Sequence, residues 1–242
     1  MKNLSDLSVA ILAGGLGTRL RPVVADRPKV LAPVRGRPYL TYLLDALAAA
    51  GVREVVLLTG YQAERVRDAF GDQYDGVNLL YSVERTPLGT AGAIRHALPL
   101  LSSPTVLVLN GDSFCAVNLT AFCRSHCRRR ADVSLVLVRA ANAARFGRVR
   151  TKPDGRLQRF EEKQEVAGPG WINAGVYLME RPLIAAIPPR RPASLERELF
   201  PEWIARCHCF GFRSRGRFLD VGTPETYAEA ERFFAVPEVR RP

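Results

Sequence analysis

From residue 9 onward, short apolar runs alternate with segments of helical period: VAIL (9–12), YLTYLLDALAAAG (39–51), EVVLLTG (54–60), QAERVRDAF (62–70), VNLLYSVE (77–84), TAGAIRHAL (90–98) and TVLVLNGD (105–112). Runs this apolar need cover on both faces, and the helices between them supply it, so the pattern demands βαβ units and a mostly parallel sheet. In the helix at 39–50, Leu40, Leu43, Leu44 and Leu47 share one face, and Gly51 stands where such a helix ends. After residue 130 the rhythm changes. The strand DVSLVLVRA is followed by a hairpin turning at Asp154-Gly155, the strand INAGVYLM and the helical segment SLERELFPEWIA. A last helix starts at Thr223, with Pro224 in its first position. We expect an α/β fold, Rossmann-like, with a mixed, mostly parallel sheet sandwiched by helices. One domain over 1–242 would hold a nucleotide-type core at about 7–130 and an elaboration at about 131–235 that walls a second pocket.

In such sheets ligands lie beyond the carboxyl ends of the strands. Three strand ends carry polar motifs: the loop after the first strand, Thr59-Gly60-Tyr61 after the second, and Asn110-Gly111-Asp112 after the fourth. The loop, LAGGLGTRLRPVVADRPKV, is neither a Walker A motif nor a Rossmann fingerprint, because Leu20 stands where the third glycine of the latter belongs. Its bare backbone at Gly14, Gly15 and Gly17 lets N–H groups approach a polyphosphate, while Arg19 and Lys29 neutralise it. Asp112 and Asp220 each end an apolar run, and either alone serves as a turn or cap residue as readily as a ligand. Together they supply the one or two carboxylates that Mg²⁺ takes while phosphate and water fill its other positions.

The formal charge of +11 suits a phosphate-rich partner. Arg128 to Arg130 and the RSRGR run lack interleaved aromatics or a nucleic-acid motif, so charge by itself predicts no nucleic-acid binder. No apolar run reaches the roughly 20 residues of a bilayer crossing, and the apolar run at the start leads straight into the glycine loop, so no membrane partner and a cytoplasmic location are expected. The five cysteines are expected to be reduced, and the groups Cys123, His126, Cys127 and Cys207, His208, Cys209 lack the spacing of a zinc site.

LAGGLGTRLRPVVADRPKVLAPV, PLGTAGAI, LNGD, FEEK, NAGVY and FLDVGTPE follow one another from about residue 9 to 233. In that order they resemble the sugar-nucleotidylyltransferases, which make NDP-sugars from an NTP and a sugar 1-phosphate. Within that family the chain is similar to the short guanylyltransferases of D-glycero-α-D-manno-heptose 1-phosphate. The resemblance implies that Leu12, Ala13, Gly14, Gly15, Gly17, Thr18 and Gly111 wrap the nucleotide, with Arg19 on the triphosphate. Leu88, Gly89 and Thr90 would line the base pocket, and Lys29 would bridge the phosphates of the two substrates. Gly147, Glu162, Lys163, Asn173 and Gly175 would form the sugar-phosphate side, and Asp112 and Asp220 would hold Mg²⁺. Two positions depart from the family pattern: Gln164 and Val30 stand where prolines are usual, beside functional residues without replacing them.

The expected partners are therefore GTP and a sugar 1-phosphate. Mannose 1-phosphate, thymidylyl or uridylyl transfer, and a non-catalytic member of the fold are the alternatives. The apolar positions Tyr227, Ala230, Phe233 and Phe234 of the last helix suit a homodimer or the core.

Overall fold

The computed structural model describes residues 3–144, 146–161 and 168–235. Its first half runs β1 (Ser8–Leu12), a small hairpin of β2 (Pro33–Val34) and β3 (Arg37–Pro38), α1 (Leu40–Ala49), β4 (Glu54–Thr59), α2 (Ala63–Phe70), β5 (Gln73–Tyr74), β6 (Val77–Val83), α3 (Gly89–His96), β7 (Thr105–Asn110), β8 (Ser113–Cys115) and α4 (Leu119–Arg129). The second half continues with β9 (Val133–Ala140), β10 (Arg148–Thr151), β11 (Leu157–Glu161), β12 (Gly170–Glu180), α5 (Arg181–Ala186), α6 (Phe200–Arg206), β13 (Cys209–Arg213), β14 (Phe218–Asp220) and α7 (Pro224–Phe233).

The parallel centre is β6-β4-β1-β7, with Ala10 of β1 in register between Val56 and Val108. Because side chains alternate along a strand, each apolar run feeds two cores at once. Val9, Ile11, Val55, Leu57 and Leu107 pack on one face with the leucines of α1, Val66 and Phe70 of α2, and Phe122 of α4. Ala10, Val56, Leu58, Val106 and Val108 pack on the other with Ala91 and Ile94 of α3, Ile184 of α5, and Phe200 and Trp203 of α6. This is the sandwich expected from the sequence. Gly51 ends α1 with φ of 87°, in the left-handed region that glycine occupies without a Cβ penalty.

The change of rhythm after residue 130 is the change from parallel to antiparallel pairing. The long strand β12 lies antiparallel to β9 along one edge and to β7 and β10 along the other, and β13 closes on β9 in parallel. Strands β10 and β11 form the hairpin at Asp154-Gly155, where the Asp154 carboxylate accepts the Arg156 N–H at 2.9 Å. One sheet thus runs through both halves of the chain.

The SLERELFPEWIA segment is helical but not uniformly α-helical. Ser194 accepts the Arg197 N–H through its hydroxyl, Leu195–Leu199 form a wide π turn, and α6 follows. Pro201 has no N–H to give to a preceding carbonyl, so the regular ladder is interrupted there and resets. Helix α7 begins at Thr223 in a capping box with Thr226, and Pro224 occupies its first turn. Its apolar residues go to the core: the Phe234 ring stacks on Tyr42 at 3.8 Å between centroids and meets Phe114 edge-on at 5.2 Å. Among the described residues no helix is long and apolar enough to cross a membrane.

Removing the cap hydroxyl in Thr223→Ala should cost about 1 kcal/mol of stability, read as a lower midpoint in urea unfolding with unchanged slope. An unchanged midpoint would show that the aromatic packing alone fixes the helix.

Candidate active site

A cavity of about 690 Å³ opens beyond the carboxyl ends of β1 and β7. Strand β1 delivers Leu12, after which Ala13 donates its N–H to Leu58 at 2.8 Å and the glycine loop turns over the sheet edge. Leu12, Ala13, Gly14, Gly15, Gly17, Thr18 and Arg19 all line the cavity. At the end of β7, Gly111 donates its N–H to the Leu12 carbonyl at 3.0 Å, and a Cβ there would come within 2.4 Å of that oxygen. Only glycine lets these two strand ends touch.

The acids meet through a strand pairing that neither strand advertises. β8 and β14 form an antiparallel ribbon with Ser113 opposite Asp220, and the Val221 N–H donates to the Asp112 carbonyl at 2.8 Å. Residues 108 positions apart thereby flank one wall of the cavity. The Lys29 ammonium, its side chain only 11% exposed, lies 2.9 Å from an Asp112 carboxylate oxygen. Burial pushes the Asp112 carboxyl up, but Lys29, and more distantly Arg19, outweigh it and hold the group below the usual carboxylate range. Lys29 therefore reaches the cavity as expected, while its partner in this structure is the acid.

On the far side stand Gly147, Asn173 and Gly175. Asn173 donates through Nδ2 to the Tyr177 hydroxyl at 2.7 Å and accepts the Gly175 N–H at 3.0 Å, which fixes its amide in one orientation. Glu162 and Lys163, expected beside them, lie outside the described residues.

Two expectations are corrected. Leu88 does not line the cavity, although Gly89 and Thr90 do. Its carbonyl instead accepts the Ala193 N–H at 2.9 Å, tying the PLGTAG turn to the segment that leads into Ser194. Nor does Thr59-Gly60-Tyr61 open on the cavity: Gly60 packs behind Gly14 and against Glu84, so the second strand end supports the loop from outside. Arg21 and Arg27, given no role by the sequence, also lie off the cavity wall. Arg21 sits over the Tyr61 ring, and Arg27 makes an exposed ion pair with Asp26.

Sequence reasoning missed Glu84, Glu196 and Arg197, which all line the cavity. Glu84 follows β6, a strand end that deserved the scrutiny given to the others. One of its oxygens accepts the Leu88 N–H at 3.1 Å, and burial pushes its carboxyl above the ordinary value. Glu196 accepts from the Thr90 hydroxyl at 2.8 Å and the Ser194 hydroxyl at 3.1 Å. No local signal marks it, because its partner is 106 residues away. Among the described residues no group of three or more His, Cys, Asp or Glu is placed to hold a metal. His126 is buried between Ser134 and Glu180, and burial pushes the Cys209 thiol up to about 12.

The Lys29–Asp112 pair has a pH signature. A carboxyl held low in the fold gives stability that is present above its unfolded value near 4 and is lost as pH falls through the folded value. Lys29→Met should therefore show its full stability deficit near neutrality, closing as the pH is lowered through the carboxylate range. A deficit independent of pH, measured by thermal unfolding from pH 7 to pH 3, would contradict the pairing.

Comparison with known proteins places these features in context. The nucleotidyl transferase family model matches residues 8–236. A mannose-1-phosphate guanylyltransferase of Mycobacterium tuberculosis is 39% identical over 224 residues, covering 91% of this chain and 62% of that protein. The D-glycero-alpha-D-manno-heptose 1-phosphate guanylyltransferase of Aneurinibacillus thermoaerophilus is 34% identical over 226 residues, covering 93% of this chain and 97% of the relative. In three dimensions, HddC from Yersinia pseudotuberculosis, crystallised in complex with GMP-PN, superposes with a TM-score of 0.85 at 30% identity over 94% of this chain and 99% of that one. The chain thus spans less than two thirds of the mannose relative and nearly all of the heptose relative and HddC. With the glycine loop, the acid-bearing strand ends and the family match extending over nearly the whole chain, the protein belongs to the nucleotidyl transferase family.

Proposed function

We propose that the chain transfers GMP from GTP to D-glycero-α-D-manno-heptose 1-phosphate, giving GDP-heptose and pyrophosphate. The observation that carries this reading is the cavity itself: a glycine loop with Arg19 and Lys29 faces Asp112 and Asp220, and no histidine or cysteine lines the wall among the described residues. Such a site is suited to neutralising and positioning anions.

The chemistry needs little else. A sugar 1-phosphate has a second pKa near 6, so at pH 7 it arrives as a ready oxyanion and requires no general base. Its oxygen attacks the α-phosphorus in line, and pyrophosphate leaves from the opposite side. Backbone N–H groups of Gly14, Gly15 and Gly17 would hold the polyphosphate, and Arg19 would balance the charge that grows on the leaving group. Lys29 would exchange its carboxylate partner for the incoming phosphate, so that its ammonium bridges the two substrates. Asn173, locked by Tyr177 and Gly175, would orient the sugar. Asp112 and Asp220 fit Mg²⁺ by donor chemistry, since that ion takes one or two carboxylates and leaves its other positions to phosphate and water. When bound there, it would offset phosphate charge.

Glu84 supports guanine as the base. Guanine presents N1–H and N2–H donors on one edge, and a half-buried carboxylate beside Gly14 with an elevated pKa gains most from accepting them. The similarity along nearly the full length of the heptose relative supports the sugar. A second reading, transfer to mannose 1-phosphate, is favoured by the 39% identity to the Mycobacterium tuberculosis relative.

A pyrophosphate-release panel crossing four NTPs with heptose, mannose and glucose 1-phosphates tests the assignment. Release with GTP and the heptose phosphate is the expected result. Preference for mannose 1-phosphate would select the second reading, and silence in every well would contradict both.

A further inference from the structure

Behind the two acids lies a buried hydroxyl with nothing to bond to. Tyr39 immediately precedes α1 and is fully buried, and its phenolic oxygen has no hydrogen-bond partner among the described residues. Its place is fixed from two directions. The Tyr39 N–H donates to the Ala32 carbonyl at 2.9 Å, three residues beyond Lys29. Its ring meets Phe234 edge-on at 6.2 Å, and Phe234 in turn meets Phe114 at 5.2 Å. Phe114 belongs to β8 two residues after Asp112 and pairs with Leu219, the neighbour of Asp220. The aromatic stack therefore ties Tyr39 to the ribbon that carries both carboxylates.

The charges of Asp112 and Asp220 both reach the phenol and, with burial, push its pKa well above the usual value. The hydroxyl keeps its proton and points its dipole in a negative field. A buried donor without an acceptor is a cost that phenylalanine in the same space would avoid. In this structure Asp112 is paired with Lys29, and the Tyr39 hydroxyl is bonded to neither acid.

We propose that Tyr39 is a positioning residue whose O–H donates to a carboxylate oxygen of Asp112 or Asp220 once Lys29 has moved to phosphate, fixing the acid in the orientation that holds the divalent cation. This rests on the reading that the two acids are the cation's ligands. The hydroxyl touches neither substrate nor cation and acts only through the acid it orients.

The test compares Tyr39→Phe and Asp220→Asn with the parent by titrating Mn²⁺ into the full-length protein saturated with its preferred sugar 1-phosphate and following water-proton relaxation, with thermal unfolding run in parallel. Tyr39→Phe should weaken Mn²⁺ binding by about five-fold or more, the loss of one hydrogen bond to a charged group, with a melting temperature unchanged or higher. The Mg²⁺ concentration for half-maximal turnover should rise in step, with kcat at saturating Mg²⁺ within about two-fold, since only the pre-orientation of the acid is lost. Unchanged Mn²⁺ affinity in Tyr39→Phe beside weakened affinity in Asp220→Asn would overturn the proposal while leaving the acids as ligands. Unchanged affinity in both variants would overturn the acids as ligands, and the proposal with them.

Discussion

The pairing of Ser113–Cys115 with Phe218–Asp220 is the contact on which the site depends. Asp112 reaches its place at the end of the central sheet, and Asp220 arrives from a strand that follows the antiparallel flank. Only the short ribbon between β8 and β14 makes them neighbours. Its support comes from outside the cavity: Phe114 rests on Phe233 and Phe234, and the Arg217 guanidinium lies 4.0 Å from the Phe233 ring centroid. Helix α7 starts three residues after Asp220, so the capping box at Thr223 and the acid share one stretch of chain. The packing of the last helix and the placement of the acids are one mechanical unit.

Charge determines what such a unit is for. Two unit charges of the same sign at 4 Å repel by about 4 kcal/mol at an effective dielectric of about 20, and in the proposed reaction a phosphate dianion must approach a triphosphate. Arg19 and Lys29 supply fixed positive charge on the cavity wall, within a chain whose net charge is +11. In the Lys29–Asp112 pair the ammonium is held by a carboxylate to which the proposed mechanism gives a second use. Lys29, with Arg19 behind it, outweighs burial and keeps that acid ionised.

Much of this was legible in the amino-acid order. Apolar alternation gave the parallel centre, because strands such as Thr105–Asn110, apolar on both faces, fold stably only when covered twice. The glycine loop and both acids stood out because each stands at the end of an apolar run, and Lys29 because it lies at the far end of that loop; the loop and acid motifs match the family's in order. What escaped was whatever depends on a partner far along the chain. Glu196 reads as an ordinary first-turn acid of a helix until its bond to the Thr90 hydroxyl is seen, and the π turn that carries it follows from Pro201 only in retrospect. Leu88 shares a motif with Gly89 and Thr90, yet its backbone is spent on Ala193 and its side chain stays off the wall. Thr59-Gly60-Tyr61 was misplaced because a strand end can buttress a loop as well as open on a cleft. The C-terminal aromatics suited a dimer or the core equally by sequence, and Phe234 packs its ring on Tyr42 and Phe114.

In the proposed reaction this cavity works by positioning and neutralisation, with no covalent step on the protein. A single in-line displacement inverts configuration at the α-phosphorus, whereas a nucleotidyl-enzyme intermediate requires two displacements and retains it. The direct measurement is the configuration of the GDP-sugar thiophosphate formed from one diastereomer of GTPαS and the preferred sugar 1-phosphate, read by phosphorus NMR. Inversion is the predicted result; retention would require a covalent nucleotidyl-enzyme intermediate and would contradict direct transfer.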